Sequence, residues 1–118
     1  MKTIDQMMQE TDVPAVTVSA QGLISHVNKC FEKVFGWSLR EIVGKPLTTI
    51  IPKDLHDAHQ LGFSRFLRTG KPTLLNQPLK LKAVTKQGRV FDAEHVITAE
   101  QQKGQWVFGA TIRPAGTS

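Results

Sequence analysis

The last third of the sequence constrains the fold most, because its apolar residues recur with the two-residue period of a β-strand. This period predicts strands over about 78–86, 89–98 and 105–113. The dipeptides Gln87-Gly88 and Lys103-Gly104 separate them, and glycine in so short a connection favours a tight turn between antiparallel neighbours. The pattern therefore predicts three consecutive antiparallel strands.

The same alternation assigns a face to each side chain in these strands. Lys80 and Lys82 occupy the solvent face of the first strand. The opposite, inward faces carry Leu79, Leu81 and Ala83 in the first strand and Phe91, Ala93, His95 and Ile97 in the second. His95 is thus predicted to point inward, where a polar imidazole needs a hydrogen-bond partner or a ligand.

The first half of the chain is predicted to form a hairpin followed by a short helix. Two strands, over 15–19 and 23–27, flank a tight turn at Gln21-Gly22. Asn28 can accept a hydrogen bond as the N-cap of the helix, and Gly36 closes that helix.

Two more helices are predicted before the C-terminal strands. Ser38 and Glu41 have the three-residue spacing of a capping box. A longer helix is expected to start at Asp54 as its N-cap, to run to about Arg68 and to stop at Gly70.

One face of the longer helix is apolar except for a histidine. Steps of 100° per residue place on this face Leu55, His59, Gly62, Phe63 and Phe66. His59 lies near the centre of the face, whereas His56 falls toward its flank. Either His59 belongs to the core or it is directed at a ligand, and the pattern leaves both readings open.

Composition limits the class of protein. A chain of 118 residues has room for one hydrophobic core, so a single domain is expected. With 40% hydrophobic and 21% charged residues, it contains no apolar run long enough to span a membrane. The first residues lack the apolar stretch of a signal peptide, which predicts a cytoplasmic protein.

Several chemical functions are also disfavoured. A single cysteine, Cys30, precludes an internal disulfide and a multi-cysteine zinc site. The net charge of +5 comes from basic residues spread along the chain without a cluster, so nucleic-acid binding is not expected. The sequence has no nucleophile elbow or phosphate loop, and no enzymatic activity is predicted.

The order of elements predicts an α+β fold, with helices covering one face of an antiparallel sheet. This order and its punctuating residues resemble a PAS domain over about 13–113. The resembling stretches are GLISHVNKCFEKVFGWSLREIVGKPLTTIIP, RTGKP, KQGRVFDAEHVI and GQWVFGATIR. The resemblance implies a five-stranded antiparallel sheet, with the helices of residues 28–69 enclosing a pocket against its inner face.

The resemblance also implies a function. PAS domains are sensory and dimerisation modules of bacterial signal-transduction proteins, so we expect a small-molecule ligand or cofactor and a homodimer. An output domain such as a histidine kinase or chemoreceptor is expected, fused or as a partner. Residues 1–12 are assigned to an amphipathic cap helix, 13–114 to the PAS domain and 115–118 to the junction with that missing output domain.

Haem b is the cofactor that the resemblance favours. In PAS domains that bind haem, the proximal histidine lies on the long helix after the closing proline, which places His59 at the position of the metal ligand. His95 occupies a strand position that faces the distal side of the iron. Phe63, Phe66 and Ile97 are assigned to the same cofactor site.

Other interpretations remain open at this stage. Both histidines can simply form hydrogen bonds within the fold, in a ligand-free PAS domain that associates with other proteins through the outer face of its sheet and its N-terminal helix. A transition-metal site could draw on Asp54, His56, Asp57 and His59. A flavin could stack on Trp37 or Trp106, although the reactive cysteine of flavin photoreceptors is missing near residue 59.

Overall fold

The structure, a computed structural model, describes residues 3–69 and 78–115. The predicted helix end at Gly70 and the junction beyond Ala115 lie outside these residues. The helices are α1 (Ile4–Met8), α2 (Lys29–Phe35), α3 (Leu39–Ile42) and α4 (His56–Thr69), with short 3-10 turns at Leu47–Ile50 and Lys53–Leu55. The strands are β1 (Ala15–Ser19), β2 (Ile24–Val27), β3 (Leu79–Val84), β4 (Val90–Gln102) and β5 (Gln105–Pro114).

The five strands form one antiparallel sheet in the order β2-β1-β5-β4-β3. This arrangement confirms the predicted α+β fold. Lys103 and Gly104 have φ angles of 51° and 79°, so the β4–β5 connection is the tight turn with two left-handed residues that the Lys-Gly dipeptide predicts. β4 continues to Gln102, past the predicted end at residue 98, because pairing with β5 extends to this turn.

The register fixes which side chains face the helices. His95 pairs with Leu79 on β3 and with Ile112 on β5. Ile112 is 1% exposed and belongs to the core, so the face that carries His95 is the inner face, as the alternation predicts. Leu81 shares this face and yet is 43% exposed, because alternation selects a face of the sheet without determining what covers it.

The centre of the core lies where α2 packs on the inner face. Phe31 and Phe35 are fully buried and stack with a ring-centroid separation of 4.3 Å. Phe35 also contacts Phe91 of β4, at 5.4 Å between centroids. Asn28 and Gly36 end this helix as predicted, the first as N-cap and the second in the left-handed conformation with φ 79°.

The opposite, outer face of the sheet is divided into two halves. Helix α1 covers the half around β1 and β5, where Ile4 and Met7 are 3% and 1% exposed. The half around β3 and β4 is charged, with Lys82 Nζ 2.8 Å from Asp92 Oδ1. The next row across the sheet places Glu94 between Lys80 and Arg113. Opposite charges facing one another across strands suit a solvent-facing surface.

The predicted capping box of α3 is present and is linked to a distant turn. Ser38 Oγ accepts from the Glu41 amide at 3.1 Å, and Glu41 Oε1 accepts from the Ser38 amide at 3.0 Å. The second oxygen of Glu41 accepts from Lys86 Nζ at 2.6 Å. The Lys86 bond, followed by the Ser38 amide, lowers the pKa of Glu41 from 4.5 to about 2.

We expect Glu41→Gln to lower stability at neutral pH by a small, salt-sensitive amount, because exposed ion pairs contribute little. The folded protein holds the carboxylate at a lower pKa than the unfolded chain does. The contribution is therefore complete above pH 4.5 and is lost as the pH falls toward 2. Urea denaturation midpoints at pH 7, 4 and 2.5 measure the loss. Comparing the wild type, both single variants (Glu41→Gln and Lys86→Gln) and the double variant gives the coupling between the two side chains. A wild-type advantage that persists unchanged at pH 2.5 contradicts it.

Candidate functional site

The start of α4 distinguishes its two histidines. Pro52 opens a 3-10 turn, and its carbonyl accepts from the Leu55 amide at 2.9 Å. The expectation that Asp54 is the N-cap was wrong, because Asp54 lies inside this turn. His56 Nε2 donates to the carbonyl oxygen of Ile51 at 2.6 Å, since a carbonyl can only accept. The His56 side chain thus stabilises the start of the helix, and its Nε2 is already used in a hydrogen bond to the backbone.

His59 is in a different environment one turn later. Its ring stacks on Phe63 with a centroid distance of 5.9 Å and an interplanar angle of 24°. Within the described residues, neither ring nitrogen of His59 has a hydrogen-bond partner. Burial, and secondarily the charge of His56, lowers the pKa of His59 from 6.5. At pH 7 it is therefore a neutral imidazole with an available lone pair.

Aromatic contacts hold the His59 face of α4 against the sheet. Phe63 lies 5.0 Å from Phe108, and Phe66 lies 5.3 Å from Phe108 and 4.9 Å from Trp106, measured between centroids. Gly22 of the β1–β2 turn also lies close to the Phe63 ring, because a Cβ built there would lie 3.7 Å from a ring carbon. We call Phe63, Phe66, Trp106 and Phe108 the aromatic wall, and His59 stacks on its Phe63 ring.

His95 lies on β4, the strand next to that wall. Its Nδ1 lies 3.3 Å from the carbonyl oxygen of Ala93, and the contact requires Nδ1 to carry the hydrogen. Nε2 then bears the lone pair, and it has no partner among the described residues. Burial lowers the pKa of His95 from 6.5, against a smaller opposing effect of the Ala93 bond. His95 is also neutral at pH 7.

The structure places the five assigned residues on two surfaces that meet at β5. His59, Phe63 and Phe66 belong to α4, and the two phenylalanine rings pack on Phe108 of β5. Ile97 and His95 belong to β4, opposite Ala110 and Ile112 of β5 respectively. The arrangement presents neutral imidazole nitrogens and apolar side chains, which suits a flat, apolar ligand with an atom that accepts a nitrogen lone pair.

In the part of the chain that the structure describes, the candidate transition-metal residues do not form a site with several ligands. Over residues 3–69 and 78–115, no group of three histidine, cysteine or carboxylate side chains gathers as an ion would require. Asp54, His56, Asp57 and His59 all lie in this part of the chain. The first histidine is moreover bonded to the backbone.

The two tryptophans occupy different surroundings. Trp106 is part of the wall, where it meets Phe66 edge-on. Trp37 packs on the core from the other side, with the ammonium groups of Lys45 and Lys86 at 5.6 Å and 5.2 Å from its ring centroid. These distances fit cation–π contacts, so the Trp37 ring has two lysine partners.

Sequence reasoning missed Phe108 as a member of the site. The signal was available, because Trp106, Phe108, Ala110 and Ile112 alternate along the predicted last strand. Alternation marks these residues as one face but does not reveal that α4 rests on the aromatic half of it.

Comparison with known proteins agrees with this architecture. The family model for the PAS fold matches residues 2–114, nearly the whole chain. The chain belongs to the PAS family. The match extends over the segment that contains α1, beyond the stretch whose motifs carry the resemblance. PAS domains are sensory modules.

Two relatives of this PAS domain are much longer than the chain itself. It is 33% identical over 90% of its length to an uncharacterized protein of Azorhizobium caulinodans. It is 22% identical over 83% of its length to the sensor protein FixL of Bradyrhizobium diazoefficiens. The chain spans 15% and 19% of the lengths of these two relatives.

A solved structure gives the same fold. The PAS domain of a protein from Colwellia psychrerythraea superposes with a TM-score of 0.73 at 13% identity, covering 92% of each chain. Among the described residues of this PAS domain, no helix has the length and apolar character needed to cross a bilayer.

Proposed function

We propose that this PAS domain is a cytoplasmic, non-catalytic sensory module that binds haem b on its inner face, with His59 as the axial ligand. The observation that carries the proposal is the state of His59, a neutral imidazole on an aromatic wall without a hydrogen-bond partner among the described residues. His56, one turn earlier on the same helix, instead uses its ring nitrogen on the Ile51 carbonyl oxygen.

The residues around His59 fit such a group. The apolar rings of Phe63 and Phe66 would pack on a flat macrocycle, and Ile97 would contribute apolar surface from β4. His95 would hold a neutral Nε2 on the sheet side, able to accept a proton or to approach the metal. Bound haem would supply the iron that responds to a gas or to redox state.

The wider role follows from the relatives. One of them is named a sensor protein and is several times longer than this chain. We therefore propose that the domain acts in a homodimer and passes its ligand state to a fused or partner output domain, such as a histidine kinase or a chemoreceptor. In this view residues 1–12 form the cap helix, 13–114 the sensory domain and 115–118 the junction.

A hemin titration tests the proposal directly. The protein is expressed in haem-replete cells, purified and titrated with hemin while its absorption spectrum is recorded. A sharp Soret band that saturates at one hemin per chain supports the assignment. A featureless spectrum without stoichiometric uptake contradicts it and returns His59 to a structural role in a ligand-free PAS domain.

His59 and His95, which are both partly buried, also predict a pH dependence of stability. Both have a lower pKa in the folded protein than the 6.5 of an ordinary histidine, so below pH 6.5 the unfolded chain binds more protons. The apoprotein is expected to lose stability as the pH falls from 6.5 toward 5, with a smaller loss in His95→Leu. Urea midpoints at pH 7.5, 6.5 and 5 measure this. Equal losses in the two proteins would contradict the assignment to His95.

A further inference from the structure

Asn28 links more parts of the molecule than an N-cap requires. Its Oδ1 accepts from the Phe31 amide at 2.9 Å, which caps α2, and also from the Ala15 amide at 3.0 Å. Its Nδ2 donates to the carbonyl oxygens of Glu10 and Val13, both at 2.9 Å. All four hydrogen-bonding positions of this 8%-exposed side chain are occupied by backbone groups.

Two of these four bonds, to Glu10 and Val13, hold the segment that crosses from one face of the sheet to the other, and the bond from Ala15 holds the first residue of β1 beyond it. We call residues 3–14 the N-terminal strap, because they contain α1 on the outer face and lead into β1. The strap is fixed at its far end as well, since the Ile4 amide donates to Glu100 Oε2 at 2.8 Å. Gly109 allows this approach, because a Cβ there would lie 2.9 Å from Ile4 Cγ1.

We infer that Asn28 is a positioning residue that latches the N-terminal strap to the helical layer, so that release of α1 and disturbance of α2 are coupled events. The inner-face contacts run toward the same residue. Phe91 of β4 touches Phe35, Phe35 stacks on Phe31, and the Phe31 amide is bonded to Asn28. The strand that carries His95 is thereby connected to the strap only indirectly, through Phe35, Phe31 and Asn28.

The residue type supports this role. A cap alone needs only an acceptor, and aspartate or serine serves as well as asparagine. Binding the carbonyl oxygens of Glu10 and Val13 requires two N–H donors. Among the usual capping residues, asparagine carries both of these donors, on Nδ2, as well as the acceptor Oδ1. The identity of residue 28 is thus explained by the strap rather than by the helix.

Asn28→Asp separates the two roles, because it keeps the acceptor for α2 and removes both donors to the strap. Amide exchange measured by NMR on the apoprotein is the readout. We expect the Ile4 and Met7 amides to exchange about tenfold faster, as the loss of two hydrogen bonds implies, while the Phe31 amide changes less than about twofold. Glu100→Ala provides the comparison, since it releases the strap at its other end. Unchanged exchange at Ile4 in Asn28→Asp overturns the inference.

Gly109→Ala tests the coupling from the outer face. If the latch couples the two faces, pushing α1 away should accelerate exchange at Phe31 and Ala15, whose amides bond to Asn28. Exchange that rises only within α1 overturns the coupling.

Measuring hemin binding to the same variant extends the test to the candidate site. Only this measurement rests on the proposed function. Reciprocity requires that hemin, if it slows exchange in the strap, bind more weakly to Gly109→Ala. If the wild type takes up no hemin, the proposed function is contradicted. The amide-exchange results then still test the role of Asn28 by themselves. Hemin uptake with wild-type affinity in Gly109→Ala, despite hemin-slowed exchange in the strap, counts against the coupling.

Discussion

His59→Ala is expected to abolish the Soret band that the wild-type domain develops with hemin. The substitution removes the imidazole nitrogen assigned as the axial ligand, while the neighbouring rings of Phe63 and Phe66 remain on β5. Apolar surface alone can hold hemin weakly, but it cannot give the spectrum of a histidine-ligated iron. We therefore expect loss of the sharp band and at least a tenfold loss of affinity. Imidazole added to the variant should restore the band.

His56→Ala is the matched control, because it removes a histidine from the same helix, one turn away. His56 already donates to the Ile51 carbonyl, so its removal should cost about 1 kcal/mol of stability and leave the hemin spectrum nearly intact. Equal loss of binding in the two variants would show that the face assigned to His59 is wrong.

Phe35→Ala is expected to have the largest effect on stability. Phe35 is fully buried between Phe31 and Phe91, at 4.3 Å and 5.4 Å between centroids. Removing the ring leaves a cavity where α2 meets the sheet, and such truncations cost about 3–5 kcal/mol. A domain of this size has only about 5–15 kcal/mol in total, so the variant should be largely unfolded at modest urea concentrations.

Leu61→Ala provides the reference for that measurement. Leu61 lies on the solvent side of α4 and is 67% exposed, so its truncation should change the free energy of unfolding by less than about 0.5 kcal/mol. Urea denaturation followed by circular dichroism compares the two variants. Similar midpoints for both would contradict the placement of the core at α2.

Local signals predicted most of the sheet and the caps. Alternation and glycine turns act within a few residues, so β1 and the Lys103-Gly104 turn could be predicted from sequence alone. The capping box at Ser38 was predictable for the same reason. These features depend on neighbours in the chain and need no knowledge of the tertiary structure.

Features that depend on the exact path of the backbone, or on contacts between separate elements, could not be predicted in this way. Nothing near Asp54 in sequence indicates that the Pro52 carbonyl starts a 3-10 turn that displaces the cap. The exposure of Leu81 and the contact of Phe66 with Phe108 depend on where α4 settles on the sheet. The different states of His56 and His59 likewise follow from the Ile51 carbonyl, which helical spacing does not locate.

The candidate site was predictable as a set of residue types and faces rather than as a geometry. Helical spacing placed His59 with the two phenylalanines, and alternation turned His95 inward, which the register of β4 reproduces. What the sequence lacks is the hydrogen-bond state of each ring nitrogen. That state, and not the presence of a histidine, separates a candidate ligand from a structural residue.

The strand order has a consequence for how the domain is made. The central strand of the sheet, β5, pairs with β1, so Ala15 lies opposite Thr111 and Ser19 opposite Val107. The β4–β5 hairpin needs only a two-residue turn and can form quickly, whereas the β1–β5 pair must close a loop of almost the entire chain. During synthesis, β1 can therefore pair with β2 early, but its other edge stays unpaired until β5 leaves the ribosome. A nascent chain arrested before residue 107 would carry an open strand edge exposed to aggregation and to chaperones.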